Sequence, residues 1–340
     1  MPTIFDFVNA TEMVSYWETL TKDRAPYLGE TLFPSQKKLG LDLKWIKGSA
    51  GLPVVLKPSA FDAGAVPRAR IGFDRLSAEM PFFKESLYID EELRQQLNMV
   101  LETGNTAYID AVLNRIFNDN TVLLEGAAAR REQMRMMALT TGAISITANG
   151  QDFDFDYGMP TTHKVTVTTA WSNPAADIGA DILTGLDLIE DDTGVRPTRA
   201  LCDRKTWNSM LKNNDFKGAN DQTVFNDRQL KQYLMDQYGI EVVVYSKRYN
   251  NDSKAATPFV PADTFVLFPS GALGNTWFGT TPEESDLLGG SAANVAITDV
   301  GVAVTSIQKA DPVNVETKVT MISLPSFPVA DQVYILDVNP

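Results

Sequence analysis

The chain has 340 residues, 44% hydrophobic and 21% charged, enough to bury one large core or two to three smaller ones and unlike a disordered or membrane-spanning sequence. Acids outnumber bases 43 to 30, a formal net charge of −13, which argues against a nucleic-acid binder whose affinity rests on Lys and Arg neutralising phosphates. One cysteine, Cys202, and one histidine, His163, exclude an intrachain disulfide, a Cys-based zinc site and a two-histidine metal site.

The opening MPTIFDFVNATEM is acidic and lacks a basic region followed by an apolar run, so no secretory signal is expected. No stretch approaches the roughly 18 apolar residues of a transmembrane helix, and cytosolic folding is expected. Residues 1 to 40 are mixed polar and aromatic, broken by Pro26, Gly29, Pro34 and Gly40, and only Thr11 to Leu20 has a helical pattern. They read as an arm. Next, Leu41, Leu43 and Trp45 alternate with Asp42 and Lys44, Leu52, Val54 and Leu56 follow a Gly48-Ser49-Ala50-Gly51 turn, and Ile71 and Phe73 alternate with Arg70 and Gly72. This is a β-rich arm whose apolar face needs another surface, since no partner strands are evident nearby.

Asp90 is placed to cap a short helix carrying Leu93, Leu97, Val100 and Leu101, interrupted at Gly104. From Ile109 through Val112, Ile116, Phe117, Leu123, Leu124, Ala128 and Met134 an apolar stripe predicts a helix on the order of 45 Å long, ending near Gly142. Arg130, Arg131 and Arg135 on it read as a solvated or subunit-facing surface. "AISITANGQDFDFDYG" predicts a hairpin turning at Asn149-Gly150, and "HKVTVTT" a further strand. After Ser172-Asn173-Pro174 helices and strands alternate: a helix over Ile178–Glu190, strand "RALCD", helices over Lys205–Lys212 and Asp227–Tyr238, and strands "IEVVVYS" and "TFVLFP". Two last β segments, "VETKVTMISLP" and "DQVYILDV", suit a return to the first domain's sheet.

No catalytic constellation emerges. His163, Cys202 and Asp203 could nominally form a nucleophilic dyad, but they lie in or beside strand-like segments without a nucleophile elbow, and Cys202 reads as a buried apolar residue. Glu190-Asp191-Asp192 and Glu283-Glu284-Ser285-Asp286 lack calcium-loop spacing and read as solvated loops. "GALGNTWFG" and "LLGGSAANV" do not follow the strand-then-helix pattern of a phosphate cradle and default to loops. No catalytic, cofactor or metal residue is assigned, and the absence points toward assembly.

The helix end "RREQMRMMALTTGAISI", the strand "DFDFDYGM", "WSNPAADIGADILTGLDLI", "RALCDRKTWNSMLKNN" and the tail "DPVNVETKVTMISLPSFPVADQVYILDV", in this order, resemble the lambda-type phage major capsid proteins, the capsid protein E family, from about Leu32 onward. The resemblance implies an α+β, Hong Kong 97-like fold with an N-terminal arm (1–40), an E-loop (41–80), a P-domain with the spine helix (81–172), an α/β A-domain (173–311) and a C-terminal return to the P-domain (312–340). It implies a tailed-phage subunit that self-assembles through pentamers and hexamers into the icosahedral virion shell, built in the host cytoplasm. Its expected partners are a scaffolding protein, a portal and a decoration protein, with double-stranded DNA enclosed but not bound by sequence, and no membrane. The E-loop face of Leu41, Leu43, Trp45, Leu52, Val54 and Leu56 is then expected to lie on a neighbouring subunit, and Ser285–Val295 near a local symmetry axis or as a mobile loop beside it. Cross-linking through Lys44, Lys47 or Lys57 is not expected, because no catalytic acid is marked for it. The alternatives are a non-viral compartment shell of the same fold, a tail or baseplate binding module, and a cytosolic enzyme using Cys202 and His163.

Overall fold

A computed structural model of the chain describes residues 9–22, 24–47, 74–89, 91, 95, 99, 106–216, 225–251, 253–289, 294–310 and 313–340. In chain order, helices α1 (Ala10–Thr21) and α2 (Leu28–Leu32) precede strand β1 (Ser35–Lys37), a ribbon of β2 (Asp42–Lys47) and β3 (Asp74–Glu79), strand β4 (Phe82–Ile89) and the 36-residue helix α3 (Thr106–Thr141). The hairpin β5 (Ala143–Ala148) and β6 (Gln151–Asp156) follows, then β7 (Lys164–Thr166), α4 (Ile178–Thr193), β8 (Arg199–Cys202), α5 (Arg204–Lys212) and α6 (Asp227–Tyr238). Next come β9 (Glu241–Val244), the ribbon β10 (Arg248–Asn250) and β11 (Ala256–Pro258), and β12 (Thr264–Phe268). The chain closes with β13 (Asn275–Phe278), α7 (Pro282–Gly289), β14 (Asn294–Thr298), β15 (Val302–Ala310), β16 (Val313–Ser326) and β17 (Tyr334–Asp337). The short helix expected after Asp90 falls largely outside the described residues.

Local chemistry explains the element ends. The Asn9 side chain accepts from the Glu12 N–H at 2.8 Å and caps α1, whose buried Ala10, Met13, Val14 and Trp17 recur at helical spacing. Gly142, at φ +70°, stops α3 in the left-handed conformation that glycine adopts without penalty. Asn149 and Gly150 both have positive φ, as a two-residue hairpin turn requires. Reciprocal bonds between Asn226 and Gln229 start α6.

Two compact units result. The first comprises Met1–Leu43, Ala78–Met134 and Asn275–Ser326. Its sheet is organised by β16, fourteen residues long: β15 runs antiparallel along Val313–Met321, β4 along Val315–Ile322, and β13 along Ser323–Ser326. A strand has two edges, so β4 and β15 lie on opposite sides of β16. β14 extends the sheet beyond β15, and β1 adds in parallel to β13. Met13 and Trp17 of α1, Leu123 and Leu124 of α3, and Val304 and Met321 of the sheet share one core. Full burial of a side chain of this size contributes about 1.5–3 kcal/mol.

The second unit comprises Lys44–Ser77, Arg135–Gly274 and Phe327–Pro340. Its sheet has the order β7-β17-β12-β8-β9, with β7 parallel to β17, β8 parallel to β9, and β12 antiparallel to both neighbours. Ile178, Ile182, Leu186 and Ile189 of α4, Trp207 and Met210 of α5, and Leu230 and Leu234 of α6 fill the core with the sheet. Gly185 lets α4 approach Tyr334 so closely that a Cβ there would fall 2.5 Å from the ring.

The expected boundaries at 172 and 311 do not coincide with these units. Residues 275–310 contribute β13, β14 and β15 to the sheet of β4 and β16, and β17, rather than returning with β16, sits between β7 and β12. Periodicity reports what an element is and which face it buries, but not which strand it pairs with. "GALGNTWFG", read as a loop, contains β13, and "HKVTVTT" is a strand only over Lys164–Thr166.

Candidate assembly surfaces

The β2–β3 ribbon begins where the Met80 N–H donates to the Leu41 carbonyl at 3.0 Å. Leu41 is 43% exposed, whereas Leu43 is 1% exposed and belongs to its own chain's interior. Leu41 lies one residue before β2, in a bend, so the pleat that turns Leu43 inward does not extend to it. The side chain of Trp45, and all of Leu52, Val54 and Leu56, lie outside the described residues.

Sequence reasoning missed β4 as a surface, because "FFKESLYI" lacks clean alternation. Phe82, Leu87 and Tyr88 are exposed on it, and no strand pairs its second edge among the described residues. An apolar edge strand of this kind is a template for contact with another chain.

The arm is docked along α3 at three levels. The Tyr16 hydroxyl donates to Asn118 at 2.8 Å, Arg24 donates to Glu125 at 3.0 Å, and the Gly29 N–H donates to Glu132 at 3.1 Å. Positions 118, 125 and 132 are seven apart, so they line one face of the helix over about 21 Å. The sequence hides this register, because the arm lacks a matching repeat.

Charged groups expected in solvent or facing another subunit are instead built in. Arg131 is 5% exposed, donates to Asp299 at 2.5 Å and lies over the Phe278 ring at 5.6 Å; Arg135 is also buried. The Glu283–Asp286 run lies on α7, not in a loop: Glu283 meets Lys318 at 2.6 Å and accepts from Thr320 at 3.0 Å, and Glu284 meets Lys37 at 2.5 Å. Burial pushes the Glu283 carboxyl up, but the Lys318 ammonium, its own backbone N–H and the Thr320 hydroxyl together hold it below its ordinary value. Glu190-Asp191-Asp192 lies in the last turns of α4.

The nominal nucleophilic pair is not brought together. Cys202 stands opposite Phe265, Phe265 opposite Leu336, and Leu336 opposite Val165, two residues beyond His163. Three strand spacings separate Cys202 from Val165, about 14 Å. Cys202 is fully buried, and burial pushes its thiol far up. His163 is buried with Nε2 2.9 Å from Asp192 Oδ2.

Among known proteins, the sequence profile of the phage major capsid protein E family matches residues 9–338. The chain belongs to that family. It is a major capsid protein of a tailed phage, with a structural role in a shell of many copies, the virion capsid. The capsid fold is shared with solved structures of low sequence identity. A phage-related protein from Bordetella bronchiseptica RB50 is 14% identical with a TM-score of 0.57, covering 95% of this chain and 96% of its own. The capsid asymmetric unit of cyanophage A-1(L) is 12% identical with a TM-score of 0.56, covering 92% of both chains. A prophage protein of Escherichia coli CFT073 is 14% identical with a TM-score of 0.55, covering 78% of this chain and 79% of its own. The Hong Kong 97-like fold follows from these likenesses. No curated protein matches the sequence.

Proposed function

We propose that copies of this capsid protein form pentamers and hexamers that close into an icosahedral shell around double-stranded DNA, with the segment 41–80 of each copy lying as an E-loop on its neighbour. The observation that carries this reading is the ribbon of β2 and β3, a two-stranded pair with exposed Leu41 at its base. So thin a pair cannot cover both of its own faces. Residues 1–40 take the role of arm, the unit of β4 and β16, with 275–326, that of P-domain, and the unit of the β7-β17-β12-β8-β9 sheet that of A-domain. Assembly occurs in the host cytoplasm with a scaffolding protein, portal and decoration protein as partners. The charge of −13 supports enclosure of DNA without grip on it.

Electron microscopy of the expressed chain, with and without scaffold, tests the reading. Closed shells are expected. Sedimentation as monomer at every concentration, scaffold included, overturns it. Trp45→Ala and Val54→Asp are expected to leave the unassembled subunit folded while weakening closure, since a truncated interfacial anchor typically costs about 2–4 kcal/mol.

A further inference from the structure

The end of the β7-β17-β12-β8-β9 sheet where α4 finishes is acidic, whereas a groove at the other end has a mostly basic charged lining. β7, β17, β8 and β9 run in one direction and β12 in the other, so the starts of the four, with the last residue of β12, define one end. α4 finishes at that end, where Asp192 reaches His163 just before β7. Its final turns expose Asp187, Glu190, Asp191 and Asp192. Arg196 is divided between Asp187, at 3.0 Å, and Glu190, at 2.5 Å, while Asp191 has no ion pair among the described residues. Lys164, Arg199 and Glu241 also lie at this end, and the carboxylates outnumber the cations.

At the other end, where β8 stops and α5 starts, a groove of about 520 Å³ is lined by Arg204, Lys205, Asn208, Ser209, Lys212 and Arg248. Asp203 caps α5 from within it, Lys205 meets Asp263 at 2.6 Å, and Arg204 meets Asp227 at 3.3 Å. Lys212 and Arg248 are exposed and have no ion pair among the described residues. The end of α4 holds charges of the sign its own dipole disfavours, and at the start of α5 only the Asp203 cap opposes the bases. α4 has no base in its last turn, and α5 has no acid in its first turn but Arg204 and Lys205. The carboxylates at the end of α4 are unfavourable to its dipole in an isolated subunit.

We propose that the acidic end of α4 in one copy seats in the basic groove beside α5 in the next, a head-to-tail contact through which subunits close into rings. It rests on the shell reading above. The ends are different surfaces on opposite sides of one sheet, so their contact is heterologous, the kind that generates rings when the rotation closes. Its complementarity fixes the register of neighbours and makes association weaken as salt rises.

The test uses the full chain in three forms beside wild type: Lys212→Glu with Arg248→Glu, Asp187→Lys with Asp191→Lys, and all four together. Native mass spectrometry and electron microscopy read ring formation against protein concentration, and circular dichroism checks the fold. Wild type is expected to form rings, each pair of reversals to raise the concentration required by about tenfold or more, and the fourfold variant to return near wild type. Neutral versions, Lys212→Gln with Arg248→Gln and Asp187→Asn with Asp191→Asn, are expected to act in the same direction but less, and stand in for any reversal that fails to fold. Rings unaffected by either reversal, or no recovery in the fourfold variant, overturn the contact while leaving the shell reading intact. Rings that persist while the groove variant loses co-purified nucleic acid also overturn it, by assigning the groove to phosphates. Absence of rings and shells in wild type overturns the shell reading, and this contact with it.

Discussion

The backbone N–H of Gly29 is shared between the two carboxylate oxygens of Glu132, each 3.1 Å away, and Glu132 is fully buried. This fastens the start of α2 to the long helix with a charge-assisted bond in a site closed to water. Glu132→Ala is expected to lower stability by about 1–3 kcal/mol, because it leaves a buried donor without that acceptor. Thermal melting measures the loss, and faster tryptic cleavage at Arg24 locates it in the arm.

Gly185 has no room for a side chain. A Cβ there would meet Tyr334 ring carbons at 2.5 and 2.6 Å and Leu267 at 3.1 Å, all in one core. Gly185→Ala is therefore expected to destabilise the chain by about 1–3 kcal/mol, despite alanine's better helix propensity. Chemical denaturation of the unassembled subunit checks this, and a midpoint at or above wild type contradicts the close approach.

The lowered carboxyl of Glu283 makes its grip on Lys318 and Thr320 acid-sensitive. The folded value lies below the ordinary 4.5, so the stabilisation is fully present above that value and is lost as pH falls through the folded one. Melting temperatures of wild type and Glu283→Gln, compared on descending pH, should converge below the ordinary carboxyl range. A constant gap across the series contradicts the linkage.

Cys202 should be inert while the chain is folded. It is fully buried in β8, and burial holds its thiol protonated far above neutral pH. Iodoacetamide is expected to leave the native subunit unlabelled and to modify it once denaturant is added; rapid native labelling contradicts the assigned burial.

Leu41 and Leu43 should separate assembly from folding. Leu43→Ala is expected to cost about 2–5 kcal/mol in the unassembled subunit, as for a buried leucine, whereas Leu41→Ser changes its melting little. On the E-loop reading only Leu41→Ser yields a folded subunit with weakened shell closure, visible by electron microscopy. Equal loss of melting temperature in both variants contradicts this division.

Local signals in the sequence determine local structure. Asp227–Tyr238 is helical over the expected span, the turn falls at Asn149-Gly150, and α3 stops at Gly142, because each is set by residues within a few positions of one another. What escaped depends on distant partners. Nothing near Asn275 announces that "NTWF" will pair with both Ser35–Lys37 and Ser323–Ser326. Nothing near Arg131 marks Asp299 as its counterion, and a basic run on a helix reads as solvent-facing until that partner is known. The E-loop expectation met the same limit: alternation grouped Leu41 with Leu43, but the bend before β2 leaves one exposed and the other inside.

The docking of the arm also orders events in time. α1 is synthesised first among these helices, yet it packs on β14 and β15, which begin at Asn294 and Val302, and its anchor on α3, Asn118, lies some hundred residues downstream. Contacts so distant along the chain close late in folding, since the loop between them must be ordered before they form. During translation Met13 and Trp17 therefore emerge without the surface that will cover them, and they stay uncovered until the last strands of their sheet arrive.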